Sequence, residues 1–304
     1  MEKLKSIGIT LGLSFSLLLA GCGDEEEAKD NGNAGEDTAN YGEEVGYTIT
    51  GIEPGAGMMG LTHDTLDEYD SLEGWDLSES STAGMLIELG EAIKNEEPII
   101  VTGWNPHWMF ASYDLKYLED PKGTFGEVEN INTIVRNGLE EDMPNAYEIL
   151  DRFYWEPEDM ETVMFDAQDT SFEEAAKKWV EENQDKVSEW TEGVEKVEGK
   201  EIEITSTPWE SELASGEVMK YVLEQQGYQV TITPVDPAIM FQSIASGEGD
   251  VSLAPWLPVT HGAFFEQYED DFIDLGENLT GARVGLVVPE YMDIDSIEDL
   301  QPKE

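Results

Sequence analysis

The sequence predicts an α/β fold of two similar lobes around a cleft, on three observations. Strand-like and helix-like patterns alternate along the chain, which is the mark of a mainly parallel sheet covered by helices. Both halves contain apolar runs that end at a tryptophan beside a proline. These are Gly103-Trp104-Asn105-Pro106-His107-Trp108 in the first half, with Thr207-Pro208-Trp209-Glu210 and Ala254-Pro255-Trp256-Leu257-Pro258 in the second. About 260 residues remain once an amino-terminal processing segment and an acidic stretch are set aside, enough for two apolar cores.

The chain opens with Lys3 and Lys5, an apolar run over residues 7–20, and Leu19-Ala20-Gly21-Cys22. The run is short for a membrane span and has the layout of a secretory signal over residues 1–21. Leu-Ala-Gly-Cys resembles a bacterial lipobox, which makes Cys22 the expected lipidated first residue of the mature protein. An ordinary signal peptide with an incidental cysteine is the alternative. Because Cys22 is the single cysteine, no internal disulfide forms and no thiol chemistry is available. Residues 22–45 carry Asp, Glu, Asn, Gly and Ala with almost nothing to bury, and read as a flexible acidic tether. The mature protein is expected outside the cytoplasmic membrane, held to it by lipid.

Residues 46–196 are assigned to the first lobe. Residues 47–53 alternate as a strand and lead through a glycine loop into a helix reaching about Tyr69. The apolar run 98–102 reads as a buried strand delivering Trp104 at its carboxyl end. Ser171-Phe172-Glu173-Glu174 fits a capping box, and Phe172, Ala176, Trp179, Val180, Val187 and Trp190 then recur at helical spacing. Trp179 and Trp190 are therefore expected in the core, and Trp75 and Trp155 carry no motif. Residues 197–304 are assigned to the second lobe. Strands are expected over 202–205, 229–233 and 250–253, and helices over 215–226 and 237–246, each stopped by a glycine, Gly227 and Gly247.

With 68 acidic and 16 basic residues the formal charge is −52, so nucleic acid and anionic lipid surfaces are poor partners. The acids are spread along the chain, which fits a hydrated surface suited to a salty or alkaline exterior better than steering of a cation, since salt screens steering. The three histidines, His63, His107 and His261, show no metal-ligand spacing, and no metal or cofactor is expected. No nucleophile elbow, cysteine nucleophile or phosphate-binding loop occurs, so an extracellular enzyme is the weaker class. Gly55-Ala56-Gly57-Met58-Met59-Gly60 fits a dinucleotide fingerprint only formally. Its glycines nevertheless expose backbone N–H groups at a helix start, where an anion can be held.

Tryptophans held beside prolines at strand ends lie where α/β folds bind ligands, and converging indole faces suit a quaternary ammonium group. His107 is expected to buttress the Trp104 loop. From about residue 47 to 300 the chain resembles the substrate-binding lipoproteins of ABC importers for glycine betaine, of the OpuA type. The resemblance rests on Gly51-Ile52-Glu53-Pro54-Gly55-Ala56-Gly57-Met58-Met59, on Ile99-Ile100-Val101-Thr102-Gly103-Trp104-Asn105-Pro106-His107-Trp108-Met109-Phe110 and on Leu115-Lys116-Tyr117-Leu118-Glu119-Asp120-Pro121-Lys122. It continues in Trp209-Glu210-Ser211-Glu212-Leu213-Ala214-Ser215, in Trp256-Leu257-Pro258-Val259-Thr260-His261 and in residues 285–292.

The resemblance implies a two-lobed, periplasmic-binding-protein-like fold of type II with permuted lobe order. It implies a prism of Trp104, Trp209 and Trp256 around the trimethylammonium group, with the carboxylate held by His261 and by the N–H groups of Gly57 and Met58. The implied partners are glycine betaine or proline betaine and a membrane permease with its ATPase, the binding protein itself being a monomer. Choline or carnitine binding is the alternative within the class. Asn105 and Val259 occupy variable motif positions, and Phe241 stands where a larger aromatic is expected, both of which bear on selectivity.

Overall fold

A computed structural model describes residues 40–304, so the expected signal segment and Cys22 lie outside the described residues. Two groups of strands share one long strand. Strands β1 (Thr48–Thr50), β2 (Asp76–Ser78), β3 (Val101–Asn105) and β4 (Leu115–Tyr117) come from the early chain, followed by β5 (Glu129–Arg136). The later chain supplies β6 (Lys200–Ser206), β7 (Tyr228–Pro234), β8 (Val251–Ser252), β9 (Trp256–Leu257) and β10 (Phe272–Pro289). The order is β2-β1-β3-β10-β5-β8-β6-β7, with β4 added on β10 and β9 on β5.

The pairs β1–β2, β1–β3, β6–β7 and β6–β8 are parallel, as the alternation of strand and helix predicts. The sheet as a whole is mixed, because β10 runs antiparallel to β3, β4 and β5, and β5 antiparallel to β8 and β9. Local periodicity says nothing of strand direction, so this was not readable from the chain. One half of β10 (residues 272–282) pairs with β5, and the other half (283–289) with β3 and β4.

A single cut at 196/197 does not follow this pairing. Strand β5 belongs with β6–β9, and the helices Pro157–Asp169 and Phe172–Glu182 pack on the helix Glu210–Gln225. The crossing points lie instead near residue 127 and near residue 283, where β10 passes from one group to the other.

Most expected elements are present with shifted ends. The helix expected over 215–226 starts earlier, at Glu210, directly after Trp209. The helix over 237–246 has the expected bounds, and Gly247 closes it in the left-handed region (φ 75°), which glycine adopts without steric cost. Ser171 caps its helix by accepting from the Glu174 N–H at 3.2 Å, without the reciprocal bond that would complete a capping box.

Trp179 and Trp190 are buried and stacked, with centroids 6.1 Å apart and planes 14° apart. Trp155 meets Trp179 edge-on at 5.6 Å, and Phe153 meets Trp190 at 4.9 Å. This cluster forms the core beneath the helices, away from the cleft, as the helical spacing of Trp179 and Trp190 predicts.

Candidate functional site

Where the two strand groups face each other, a cavity with about 330 Å³ of empty volume is lined by all six residues singled out in the sequence, Gly57, Met58, Trp104, Trp209, Trp256 and His261. Each arrives on a different local structure. Trp104 is the penultimate residue of β3, Trp209 is the N-cap of Glu210–Gln225, and Trp256 begins β9. Trp104 and Trp256 are held by sheet pairing, whereas Trp209 stands in the short connection between β6 and the helix that it caps. The bonds Asn105–Pro106 and Leu257–Pro258 are cis. Trp104 and Trp256 are 4% exposed, and Trp209 is half-buried.

Two of the three indole edges are pinned by carboxylates. Trp209 Nε1 donates to Glu53 Oε2 at 3.3 Å, and Trp256 Nε1 donates to Glu212 Oε1 at 2.7 Å. A ring anchored at its edge keeps its face turned where the anchor dictates, and the negative face is what attracts a cation. Glu53 also accepts from the Thr82 N–H at 3.0 Å and the Thr82 hydroxyl at 2.9 Å. Burial alone would raise its pKa, but these donors outweigh it and hold the carboxyl below its ordinary range.

The same cavity is also lined by residues that carry N–H groups. Gly57 and Met58 open the helix Gly57–Glu68, whose first-turn N–H groups have no partner within the helix. A Cβ built on Gly57 would stand 2.2 Å from the Thr260 carbonyl oxygen, so only glycine lets this helix start approach the 256–261 turn so closely. That turn is itself tightly tied. The His261 N–H donates to the Trp256 carbonyl at 2.9 Å, and the Trp256 N–H donates to His261 Nδ1 at 3.0 Å. The buried Glu129 accepts from the N–H groups of Val259 at 2.7 Å and Thr260 at 2.8 Å.

Because His261 Nδ1 accepts, the neutral ring carries its proton on Nε2, a buried donor with no hydrogen-bond partner among the described residues. Burial pushes the His261 pKa down to about 4, against the Ala254 carbonyl, which favours the protonated ring. Near neutrality His261 therefore offers one N–H and no charge.

His107 does not line the cavity. It is fully buried, meets Trp104 edge-on at 4.5 Å and accepts from the Met109 N–H at 3.1 Å. Its Nε2 lies 3.0 Å from Glu210 Oε2, the oxygen that also accepts from Trp108 Nε1. Burial would raise the Glu210 pKa, but His107, Trp108 and Gln168 together lower it. Glu210 stands in the group of β6 and His107 in that of β3, so this carboxylate bridges the two strand groups. Phe241, singled out for selectivity, also lies outside the cavity wall: it is fully buried and packs edge-on beneath His261 at 6.0 Å. It supports the histidine from behind.

Sequence reasoning missed Glu212, Ser211 and Thr260, which line the cavity as well. Glu212 is 2% exposed, and it was hidden by abundance, since one acid among 68 draws no notice.

The sequence matches the family profile described as the substrate binding domain of ABC-type glycine betaine transport systems (OpuAC), over residues 25–182 and 200–304. It is 50% identical over 265 residues, 86% of this chain and 88% of the other, to the glycine betaine/carnitine transport binding protein GbuC of Listeria monocytogenes. Among solved structures, lactococcal OpuAC in its closed-liganded conformation with glycine betaine aligns at 54% identity and a TM-score of 0.48, covering 49% of this chain and 59% of that one. The glycine/betaine/L-proline-binding protein ProX of Borrelia burgdorferi aligns at 35% identity and a TM-score of 0.47, covering 50% and 58%. Each of these superpositions thus spans about half of either chain.

Proposed function

Since this chain belongs to the family of substrate-binding domains of ABC-type glycine betaine transport systems, we propose that its cavity holds glycine betaine as a zwitterion with its two ends recognised by different chemistry. The observation that carries this is that Trp104, Trp209 and Trp256 line a single cavity together with Gly57 and Met58 at a helix start and with His261, whose buried Nε2 has no partner among the described residues. A trimethylammonium group cannot donate a hydrogen bond, so it is recognised by shape and by ring faces, each contributing on the order of 0.5–2 kcal/mol once water is excluded. The carboxylate is held by charge-assisted hydrogen bonds from the N–H groups of Gly57 and Met58 and from His261 Nε2.

The two strand groups act as lobes, residues 41–127 with 283–304 against residues 128–282, and closing them brings Gly57 onto Thr260 and Glu210 onto His107 and Trp108. The closed monomer, anchored by lipid on Cys22, presents betaine to a permease powered by an ATPase.

Titration with glycine betaine, followed by tryptophan fluorescence, tests the reading. Binding by the wild type and its loss in the triple variant Trp104→Ala, Trp209→Ala, Trp256→Ala, with the far-UV circular dichroism kept, is the expected result. A triple variant that still binds removes the prism. The name of the Listeria relative makes carnitine the second reading. Competition among glycine betaine, proline betaine, carnitine and choline ranks them, and His261→Ala separates the classes. Ligands with a carboxylate lose affinity in that variant and choline does not.

A further inference from the structure

Within the cavity wall one carboxyl group, that of Glu212, has no part in the reading above. Glu212 lies in the first turn of Glu210–Gln225, three residues beyond Trp209, and its side chain is shut away from solvent. One carboxyl oxygen accepts from Trp256 Nε1 at 2.7 Å, and the other from the Ser211 hydroxyl at 2.6 Å. It therefore stands directly behind a tryptophan of the box, on the cavity lining, in surroundings of low polarity. Its partners all lie on the β6 side of the cleft, so opening the lobes leaves them in place.

We propose that Glu212 is a specificity-determining residue of the cage, whose carboxylate supplies the counter-charge to the quaternary ammonium and gives up its proton when that cation binds. The inference rests on the betaine-binding reading above. Its physical basis is that an isolated charge is costly in a buried site, whereas a charge paired with a permanent cation a few ångströms away is not. In the neutral acid the Oε2–H donates to the Ser211 hydroxyl; on binding that O–H bond breaks, the proton passes to bulk water, the electron pair stays on the carboxylate, and the Ser211 hydroxyl turns to donate to it.

Burial pushes the Glu212 pKa up to about 7, against the lowering effect of Ser211 and Trp256. The surrounding titratable groups stay in one charge state as pH rises past neutrality. His261 after β9 is pushed down to about 4, His107 from the β3 side is also lowered by burial, and Glu53 and Glu210 are both held below the ordinary carboxylate range. No lysine or arginine lines the cavity among the described residues. A betaine carboxylate, next to a quaternary nitrogen, ionises far below this range.

The sign follows from linkage. The ligand selects the ionised form, so affinity rises with pH while free Glu212 is protonated and levels off once it is ionised. For a group near 7 this makes affinity about tenfold higher at about pH 8 than at about pH 6.

The test is a calorimetric titration of glycine betaine across that range in buffers of differing ionisation enthalpy. Wild type should show the tenfold rise and release a proton on binding at the lower pH. Glu212→Gln keeps an acceptor for the Trp256 indole but has no charge. It should bind more weakly than wild type at the higher pH, lose the rise, and release no proton. Glu212→Asp should keep a pH-dependent affinity, which guards against a folding defect in the amide. A flat wild-type profile, or a Glu212→Gln profile that keeps the slope, overturns the proposal. So does an amide variant weakened equally at both pH values, since that marks a role confined to orienting Trp256. Wild type that binds no betaine at any pH overturns the betaine reading itself.

Discussion

Eight tryptophans share one chain, and their neighbours divide them by role. Trp104, Trp209 and Trp256 reach a cavity, whereas Trp155, Trp179 and Trp190 stack on each other and on Phe153 beneath the helices. The two kinds are expected to fail differently. Trp155→Ala removes a fully buried ring and should cost about 3–5 kcal/mol of stability, read by denaturant unfolding, while betaine affinity at low temperature stays near wild type. Trp256→Phe removes the donor to Glu212 and part of the ring face, and should weaken betaine binding about tenfold with a much smaller change in unfolding free energy. The proline-flanked grammar of the cavity tryptophans was readable from sequence because it is local. Their carboxylate anchors were not, since Glu53 and Trp209 are 156 residues apart and nothing local links them.

Among the elements, the helix Gly57–Glu68 illustrates how two glycines of one segment differ. At Gly57 a methyl group would collide with the Thr260 carbonyl of the facing turn, while at Gly60 nothing lies within 4 Å. Gly57→Ala should therefore block closure and weaken betaine binding by about 100-fold or more, on the order of 3 kcal/mol, with the melting temperature of the unliganded protein little changed. Gly60→Ala, in the same helix, should leave binding intact and raise stability by roughly 1 kcal/mol through helix propensity. A binding titration beside a thermal melt for each variant decides the matter.

The sequence pattern G-x-G-x-x-G announces exposed N–H groups at a helix start. Which of its glycines is sterically obligatory is set by a turn two hundred residues away. Strand β10 makes the same point on a larger scale: its length is visible only once pairing is known, because bulges interrupt its alternation.

At the scale of the whole molecule two ionisation effects act. The net charge of −52 makes the folded chain repel itself, so salt should raise the melting temperature as it screens that field. A melt series from low to high sodium chloride that stays flat would contradict this. The second effect is the opposition of two buried groups in one cavity.

His261 is depressed in the folded state, so its contribution is present above its unfolded pKa of about 6.5 and is lost as pH falls toward 4. Glu212 is raised, so the folded state binds its proton more tightly and stability is lost as pH rises from about 4.5 to 7. Relative to wild type, Glu212→Gln should thus gain stability as pH rises from about 5 to about 7 and level off above that in the absence of ligand. A melting-temperature difference that does not grow over that range counts against a buried, titrating Glu212.

What the sequence by itself determined is everything carried by neighbours along the chain. That includes alternating strands and helices, the capped and glycine-stopped helices, the core stripe of Trp179 and Trp190, and the proline-flanked tryptophans and glycine helix start that come to line one cavity. What only the tertiary structure decided is everything that depends on pairing between distant segments. The mixed sheet, the crossing of β10 between the two strand groups in place of a cut near residue 196, the Gly57–Thr260 approach and the buried Glu212 behind Trp256 belong here. The physical reason is the range of the forces. Propensity, capping and periodicity act within a few turns of chain, whereas burial and its effect on charge exist only after remote surfaces have closed over a group.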